Sequence, residues 1–264
     1  MDLEMKDKVA IITGASIGIG KGIAEAFATE GAHTVICARK DEQLRKTARA
    51  IEREYGTRCI PVTADVVNPD DIQRIETAAE NELGGVDFLI NNAGTGSDEK
   101  IMSADDGKWQ YYWDLHVMAA VRLARAVVPS MRSRGGGAIV HNASICAKQP
   151  LYYEPIYNVT KAALVMFSKC LANEVVGDNI RVNTVNPGLV LTPDWWKTAE
   201  SVGGQEGITA QEYLDRIARQ STPMGRFASP EEVAAFFLFL CSPRASYCTG
   251  STYYVDAGWL RVIS

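Results

Sequence analysis

Thr13-Gly14-Ala15-Ser16-Ile17-Gly18-Ile19-Gly20 joins a short β-branched run, Val9–Thr13, to an amphipathic stretch, Gly18–Glu30. The order is strand, glycine turn, helix. Gly14 permits a tight exit from the strand. Gly18 removes a side chain where a pyrophosphate would approach the backbone amides, and Gly20 lets helix and sheet pack closely. The first turn of the helix then offers unpaired N–H groups to an anion. With this context on both sides, the turn points to nucleotide binding.

The same rhythm continues outward. Thr34–Ala38, Cys59–Val62, Val86–Asn91, Ala138–Asn142, Ile180–Val185 and Ser251–Val255 are short, β-branched and bounded by glycine or turn residues. Runs of this kind suit strands buried on both faces of a parallel sheet. The helices between them have readable ends. Gly31 and Gly56 follow Gly18–Glu30 and Asp41–Tyr55 as stop signals. Asn68-Pro69-Asp70-Asp71 starts another helix, and Ser229-Pro230-Glu231-Glu232 is a capping box before the apolar Val233–Leu240. Alternation over residues 1–264 predicts one α/β domain built on a doubly wound parallel sheet of about seven strands. Only 188–228 breaks the pattern. It carries Trp195-Trp196, Gly203-Gly204 and Gly207, and is expected to be an irregular helical lid.

Composition narrows the function classes. Hydrophobic residues make up 47% of the chain, enough for a full core. The net charge is −5, which gives no basic footprint for nucleic acid or a membrane surface. No run reaches eighteen apolar residues and the acidic start does not suit a signal peptide, so a cytoplasmic protein is expected. The six cysteines lack any C-x-x-C pair; they are expected to be reduced, with Cys37, Cys146 and Cys170 as core fillers. His33, His116 and His141 show no metal-ligand spacing, and no metal is expected.

Tyr157-Asn158-Val159-Thr160-Lys161 places a phenol and an ammonium four residues apart on one helix face. Reducing a ketone leaves an alkoxide that needs a proton, and oxidising an alcohol needs a base. An ammonium close by would draw a phenol, which titrates near 10 unaided, toward neutrality.

The spacing G-x-x-x-G-x-G, together with Y-x-x-x-K, resembles the short-chain dehydrogenase/reductase family, over nearly the whole chain. The resemblance implies a catalytic set of Ser144, Tyr157 and Lys161, with Ser144 13 positions upstream of Tyr157 (157 − 144 = 13) and bonding the substrate oxygen. His116 stands where the family usually has an asparagine that serves a water-mediated proton relay, and an imidazole could take over that relay. The resemblance further implies cofactor contacts from Gly14, Ser16, Ile17, Gly18, Ile19, Asp65, Val66, Asn92, Ala93, Gly94, Tyr157, Lys161, Pro187, Gly188, Val190 and Thr192. After the second strand, Arg39-Lys40 offers positive charge where a 2′-phosphate would sit, which favours NADP(H) over NAD(H). Ile17 stands against this, since many NADP(H)-dependent members carry a basic residue there.

Substrate contacts are expected from Ser144, Ile145, Gln149, Tyr152, Trp195 and Trp196, with Gly96 and Trp259 nearby. Two tryptophans would suit a flat or hydrophobic ketone. The implied activity is interconversion of a small-molecule secondary alcohol and a ketone. Two alternatives stand beside it: a 3-oxoacyl-thioester reductase, which would require a basic docking patch, and an NADP-binding sensor or scaffold without turnover. The surfaces around Val233–Leu240 and Tyr253–Ser264 resemble those with which the family forms homotetramers.

Overall fold

The computed structural model describes residues 2–262. Seven strands form one all-parallel sheet: β1 (Val9–Thr13), β2 (His33–Ala38), β3 (Cys59–Thr63), β4 (Phe88–Asn91), β5 (Gly137–Asn142), β6 (Ile180–Pro187) and β7 (Thr252–Val255). Their order is β3-β2-β1-β4-β5-β6-β7. The chain therefore reverses direction across the sheet between β1 and β4, and a crevice opens at the carboxyl ends of these central strands. Such crevices are where ligands bind in open parallel sheets.

Helices cover both faces. On one side α1 (Gly18–Thr29), α2 (Asp41–Tyr55) and α9 (Pro230–Cys241) enclose a core that includes Ile12, Ile23, Phe27, Ile36, Leu44 and Phe237. On the other, α3 (Pro69–Leu83), α4 (Asp106–Trp113), α5 (Ala119–Ser133) and α6 (Pro155–Val175) flank a core with Ile11, Val35, Ile75, Leu89 and Val127. Successive residues of one strand thus serve opposite cores, which is why the strands read as unbroken apolar runs. Burial pushes the thiols of Cys37, Cys59 and Cys241 up to about 12, and they act as small apolar fillers. Cys170, expected in the core, is exposed instead, because it falls on the outer face of α6.

Two segments depart from the expectation. Residues 188–228 are regular where an irregular lid was expected: α7 (Pro193–Glu206) and α8 (Ala210–Ser221) meet at Gly207, which takes the left-handed conformation. Thr209 and Glu212 form a complete capping box for α8, and Gly203 sits inside α7 against the backbone of Ile208 and Thr209. Between α4 and α5, Asp114–Met118 winds as one π-helical turn, a feature frequent at functional positions in helices. Among the described residues no helix is long and apolar enough to cross a membrane.

Arg181 on β6 holds the end of α9. Its guanidinium donates to the carbonyls of Leu240 at 2.6 Å, and of Cys241 and Ser242 at 3.1 Å. The Leu240 and Cys241 carbonyls belong to the last turn of α9, where helical partners run out, and the cation complements the negative end of the helix dipole. Arg181→Met is expected to lower unfolding free energy by about 2 kcal/mol, seen as an earlier midpoint in urea denaturation. An unchanged midpoint would mean that the cap contributes nothing.

Candidate active site

The crevice at the switch point is a cleft of about 680 Å³. Its floor on one side is the glycine turn. Gly14 has φ +65°, and a Cβ there would meet Ala93 Cα at 2.8 Å. Gly20 is pressed against the Gly14 carbonyl and the Asn92 amide, so any side chain would push the turn away from β4. Ile17 precedes α1 in extended conformation and gives no side-chain cap, and the first turn has no acidic residue. The leading amides of α1 and its positive dipole end therefore face the cleft without a protein anion, an arrangement suited to a pyrophosphate.

Asn92 ties the turn to the rest of the site. Its side-chain amide donates to the Thr13 carbonyl at 2.8 Å, and its Oδ1 accepts from Asn142 Nδ2 at 2.8 Å. The Asn142 carbonyl in turn accepts from Lys161 Nζ at 2.8 Å. Lys161 is 3% exposed, and burial lowers it to about 8. Its ammonium lies 5.4 Å from the centre of the Tyr157 ring. Ser144 follows β5 and caps a short turn, accepting from the Cys146 amide at 3.3 Å. Ser144, Tyr157 and Lys161 all line the same cleft, together with Gly14, Ile17, Gly18, Ile19, Asn92 and Gly94. Pro187, Gly188, Val190 and Thr192 line it too, with Thr192 beside Gly18. A strand-end hydroxyl, a phenol and an ammonium thus converge beside an anion cradle.

Comparison with known proteins agrees with this geometry. A family model described as enoyl-(acyl carrier protein) reductase matches residues 14–260. Dehydrogenase/reductase SDR family member 4 of Oryctolagus cuniculus is 37% identical over 96% of this chain and 94% of its own. This chain belongs to the short-chain dehydrogenase/reductase family. It is an oxidoreductase acting on CH–OH groups. The crystal structure of L-sorbose reductase from Gluconobacter frateurii, complexed with NADPH and L-sorbose, superposes with a TM-score of 0.98 at 57% identity, covering all of both chains. The 3-oxoacyl-acyl-carrier-protein reductase FabG of Aquifex aeolicus is 31% identical over 98% of this chain and 99% of its own.

Within this short-chain dehydrogenase/reductase, several expected residues sit elsewhere. Tyr152 is fully exposed and outside the cleft; its neighbour Tyr153 lines the wall instead. Trp195 faces the cleft and packs edge-on against Phe227, whereas Trp196 does not line it, because adjacent positions of a helix point about 100° apart. Gln149 is likewise not a lining residue, while Ile145, Gly96 and Trp259 are. Ser16 is held from behind the turn, its carbonyl accepting from Thr47 Oγ1 at 2.8 Å. Arg39 and Lys40 are exposed at the carboxyl end of β2, and Arg39 Nη1 donates to Tyr111 Oη at 3.3 Å. Asp65 folds back on its own loop, accepting from the Val67 amide at 3.2 Å. Val66 and Ala93 line a small separate cavity beneath the cleft, with Asn91 and His116.

His116 lies in the π-helical turn and is 2% exposed. Burial, with Lys161 nearby, lowers it to about 2, so the ring is neutral. Its ring stands edge-on to Tyr157 at 5.3 Å between centroids, and Nδ1 is 2.8 Å from Thr160 Oγ1. Thr160 Oγ1 also lies within hydrogen-bond distance of the Ile156 and Tyr157 carbonyls, and the Thr95 backbone is a further partner of the His116 ring. The expected lowering of the Tyr157 phenol is not found here. Burial pushes the phenol above its ordinary range, and the Ser144 hydroxyl only partly offsets this. Sequence reasoning also missed Ser97, Glu154, Asp194 and Thr198 on the cleft wall. Their isolated polar side chains lie in loops and helix ends, and form no motif that spacing could reveal.

Proposed function

We propose that the chain is an NADPH-dependent reductase of a polyhydroxylated ketone, with L-sorbose the first substrate to test. The observation that carries the reading is the convergence of Ser144, Tyr157 and Lys161 on a cleft whose far wall is polar. Glu154, Ser97, Thr198 and Asp194 stand there, and burial raises the Glu154 carboxyl while it accepts from the Ser97 amide at 3.4 Å. Such a wall offers acceptors to hydroxyl groups and suits a sugar ketone better than a flat apolar one. The 57% relative over the full length, solved with NADPH and L-sorbose, supports the same class.

Ser144 Oγ would bond the substrate carbonyl oxygen, and Tyr157 Oη would give that oxygen its proton. A phenol held protonated by burial is the acid that reduction needs. Lys161, fixed by the Asn142 carbonyl, stabilises the phenolate left behind. His116, whose ring lies beneath Gly94, is the proposed relay residue, standing where the family's asparagine serves. NADPH, when bound, supplies the hydride. The cleft's glycine turn and the free amides at the start of α1 fit its pyrophosphate, and the residues proposed to hold the rest are Arg39 and Lys40 for the 2′-phosphate, Asp65 and Val66 for the adenine, Asn92–Gly94 for the ribose, and Val190 and Thr192 for the carboxamide. Segment 188–228 is the proposed lid. A cytoplasmic homotetramer is proposed too; the partly exposed aromatic cluster of Phe236, Phe239 and Tyr253 at the β7 edge suits a second copy. Ile263 and Ser264, part of the surface named for this from the sequence, lie outside the described residues.

Initial rates of NADPH oxidation with L-sorbose, an apolar ketone and an acetoacetyl thioester test the reading. L-sorbose is expected to be reduced best, with NADPH preferred to NADH by at least about tenfold, the size of one lost charge-assisted contact. Turnover of the thioester alone would reassign the enzyme to acyl reduction. Tight NADPH binding with no turnover of any ketone would make it a sensor.

A further inference from the structure

Helix α6, which carries Tyr157 and Lys161, begins without a cap of its own. Glu154 occupies the cap position, yet its side chain makes no capping bond and turns to the cleft. Pro155 at the first helical position has no N–H to satisfy. The amides left over are those of Ile156 and Tyr157, since Asn158 N already donates to the Glu154 carbonyl at 2.9 Å.

Both are satisfied by the loop after β4. Ile156 N donates to Glu99 Oε1 at 3.0 Å. Tyr157 N donates to Ser97 Oγ at 3.2 Å, and that hydroxyl donates onward to the same Glu99 Oε1 at 3.0 Å. The two orphan amides therefore end on one carboxylate oxygen. The other oxygen lies 3.1 Å from Lys108 Nζ on α4, with the Glu99 side chain only 5% exposed. Lys108 also donates to the Asp98 carbonyl at 2.9 Å, and Tyr112 Oη donates to the Gly96 carbonyl at 2.7 Å, so the loop is anchored to α4 on both sides of Ser97.

We propose that Glu99 is a positioning residue for the reaction, acting as a cap supplied from another part of the chain that fixes the first turn of α6 and with it the Tyr157 phenol. The arrangement separates two tasks that one residue at the helix start would have to share. Glu154 is left free to face the cleft, while the negative charge that a helix N-terminus favours comes from Glu99. The carboxylate does not touch the reacting atoms; it sets where the acid stands relative to Ser144 and Lys161. Displacement of an acid by about 1 Å lowers turnover up to about 10²-fold.

The proposal rests on Tyr157 being the proton donor, so its test has one reading that needs no turnover. Glu99→Ala is expected to lower kcat with L-sorbose roughly tenfold or more, with the NADPH KM within about twofold of wild type. Glu99→Gln, which keeps Oε1 as an acceptor, should recover most of that loss; Glu99→Asp, too short to reach Ile156, should not. Amide hydrogen exchange at Ile156 and Tyr157 should quicken in Glu99→Ala and Glu99→Asp and stay slow in Glu99→Gln. Should Glu99→Ala fail to fold, the Gln and Asp pair makes the same comparison. Unchanged kcat in folded Glu99→Ala or Glu99→Asp, or equal loss in the Gln and Asp variants, would overturn the proposal. Amides protected in wild type and Glu99→Gln but exchange-labile in Glu99→Ala and Glu99→Asp, with wild type inactive toward every ketone, would uphold the cap and refute the activity instead.

Discussion

Tyr157→Phe is expected to lower kcat for ketone reduction about 10³-fold while leaving NADPH affinity within about twofold of wild type. The change removes one oxygen from a ring that is otherwise retained against His116 and under Lys161. The phenol is the group in the cleft placed to donate. Ser144 is a neutral hydroxyl that accepts from Cys146 N, and Lys161 is committed to the Asn142 carbonyl. His116 is neutral, since burial lowers it to about 2, and cannot stand in as an acid near neutral pH. The pH profile of wild type carries the same signature. Burial lowers Lys161 to about 8, so its charged form is lost as pH rises through about 8, and the reductive rate should fall over that range. Stopped-flow or steady-state rates, with NADPH binding followed by fluorescence, check both parts. A Tyr157→Phe enzyme with more than about a tenth of wild-type kcat would remove the phenol from the chemistry.

Gly20→Ala is expected to raise the NADPH Kd about 10²-fold and to destabilise the fold by about 2 kcal/mol. The added methyl would meet the Gly14 carbonyl and the Asn92 amide, neither of which is free to give way. Asn92 holds the Thr13 and Gly14 carbonyls with its amide and Asn142 with its Oδ1. Displacing it would therefore disturb the anion cradle and, through Asn142, the Lys161 ammonium. Gly204→Ala provides the contrast, because a Cβ there meets nothing within 4 Å. Removing a glycine from the helix interior at that place should be neutral or slightly stabilising. NADPH titration and urea denaturation of both variants separate a crowded turn from a general effect of adding a methyl. Unchanged NADPH affinity in Gly20→Ala would mean the turn is not the cofactor's cradle.

The parallel sheet was legible because its strands are buried on both faces and so appear as unbroken apolar runs ending in glycine or asparagine. The glycine turn was legible because close backbone approach leaves no other residue type at Gly20. Side-chain direction was harder. Tyr152 and Tyr153 are equivalent by composition, and only the turn before α6 decides that Tyr153 faces inward. The helices of 188–228 were hidden by glycines, though Thr209 and Glu212 carried a capping signal that could have revealed α8. The π-helical turn at Asp114–Met118 has no local sequence mark; within it His116 packs against Tyr157 and Thr160, contacts between segments that spacing does not show. Glu99 and Glu154 stayed unseen for a related reason. Their roles depend on which chain segments meet, and 55 residues separate one carboxylate from the other (154 − 99 = 55).

The lowered phenol expected from the Tyr–Lys spacing shows where pair reasoning stops. Charge attraction must outweigh the cost of removing each group from water, and here burial is the larger effect on both. The phenol is kept protonated and the ammonium is made easier to discharge. That pairing suits an acid serving reduction.

The proposed reaction passes a hydride from NADPH to a ketone carbon while Tyr157 protonates the oxygen. NADPH carrying deuterium at both positions of its nicotinamide C4, incubated with enzyme and L-sorbose, tests this directly by mass spectrometry of the polyol. Deuterium on the former carbonyl carbon, with Tyr157→Phe giving almost no labelled product, is the result predicted. Deuterium retained on the cofactor with no labelled polyol would contradict it.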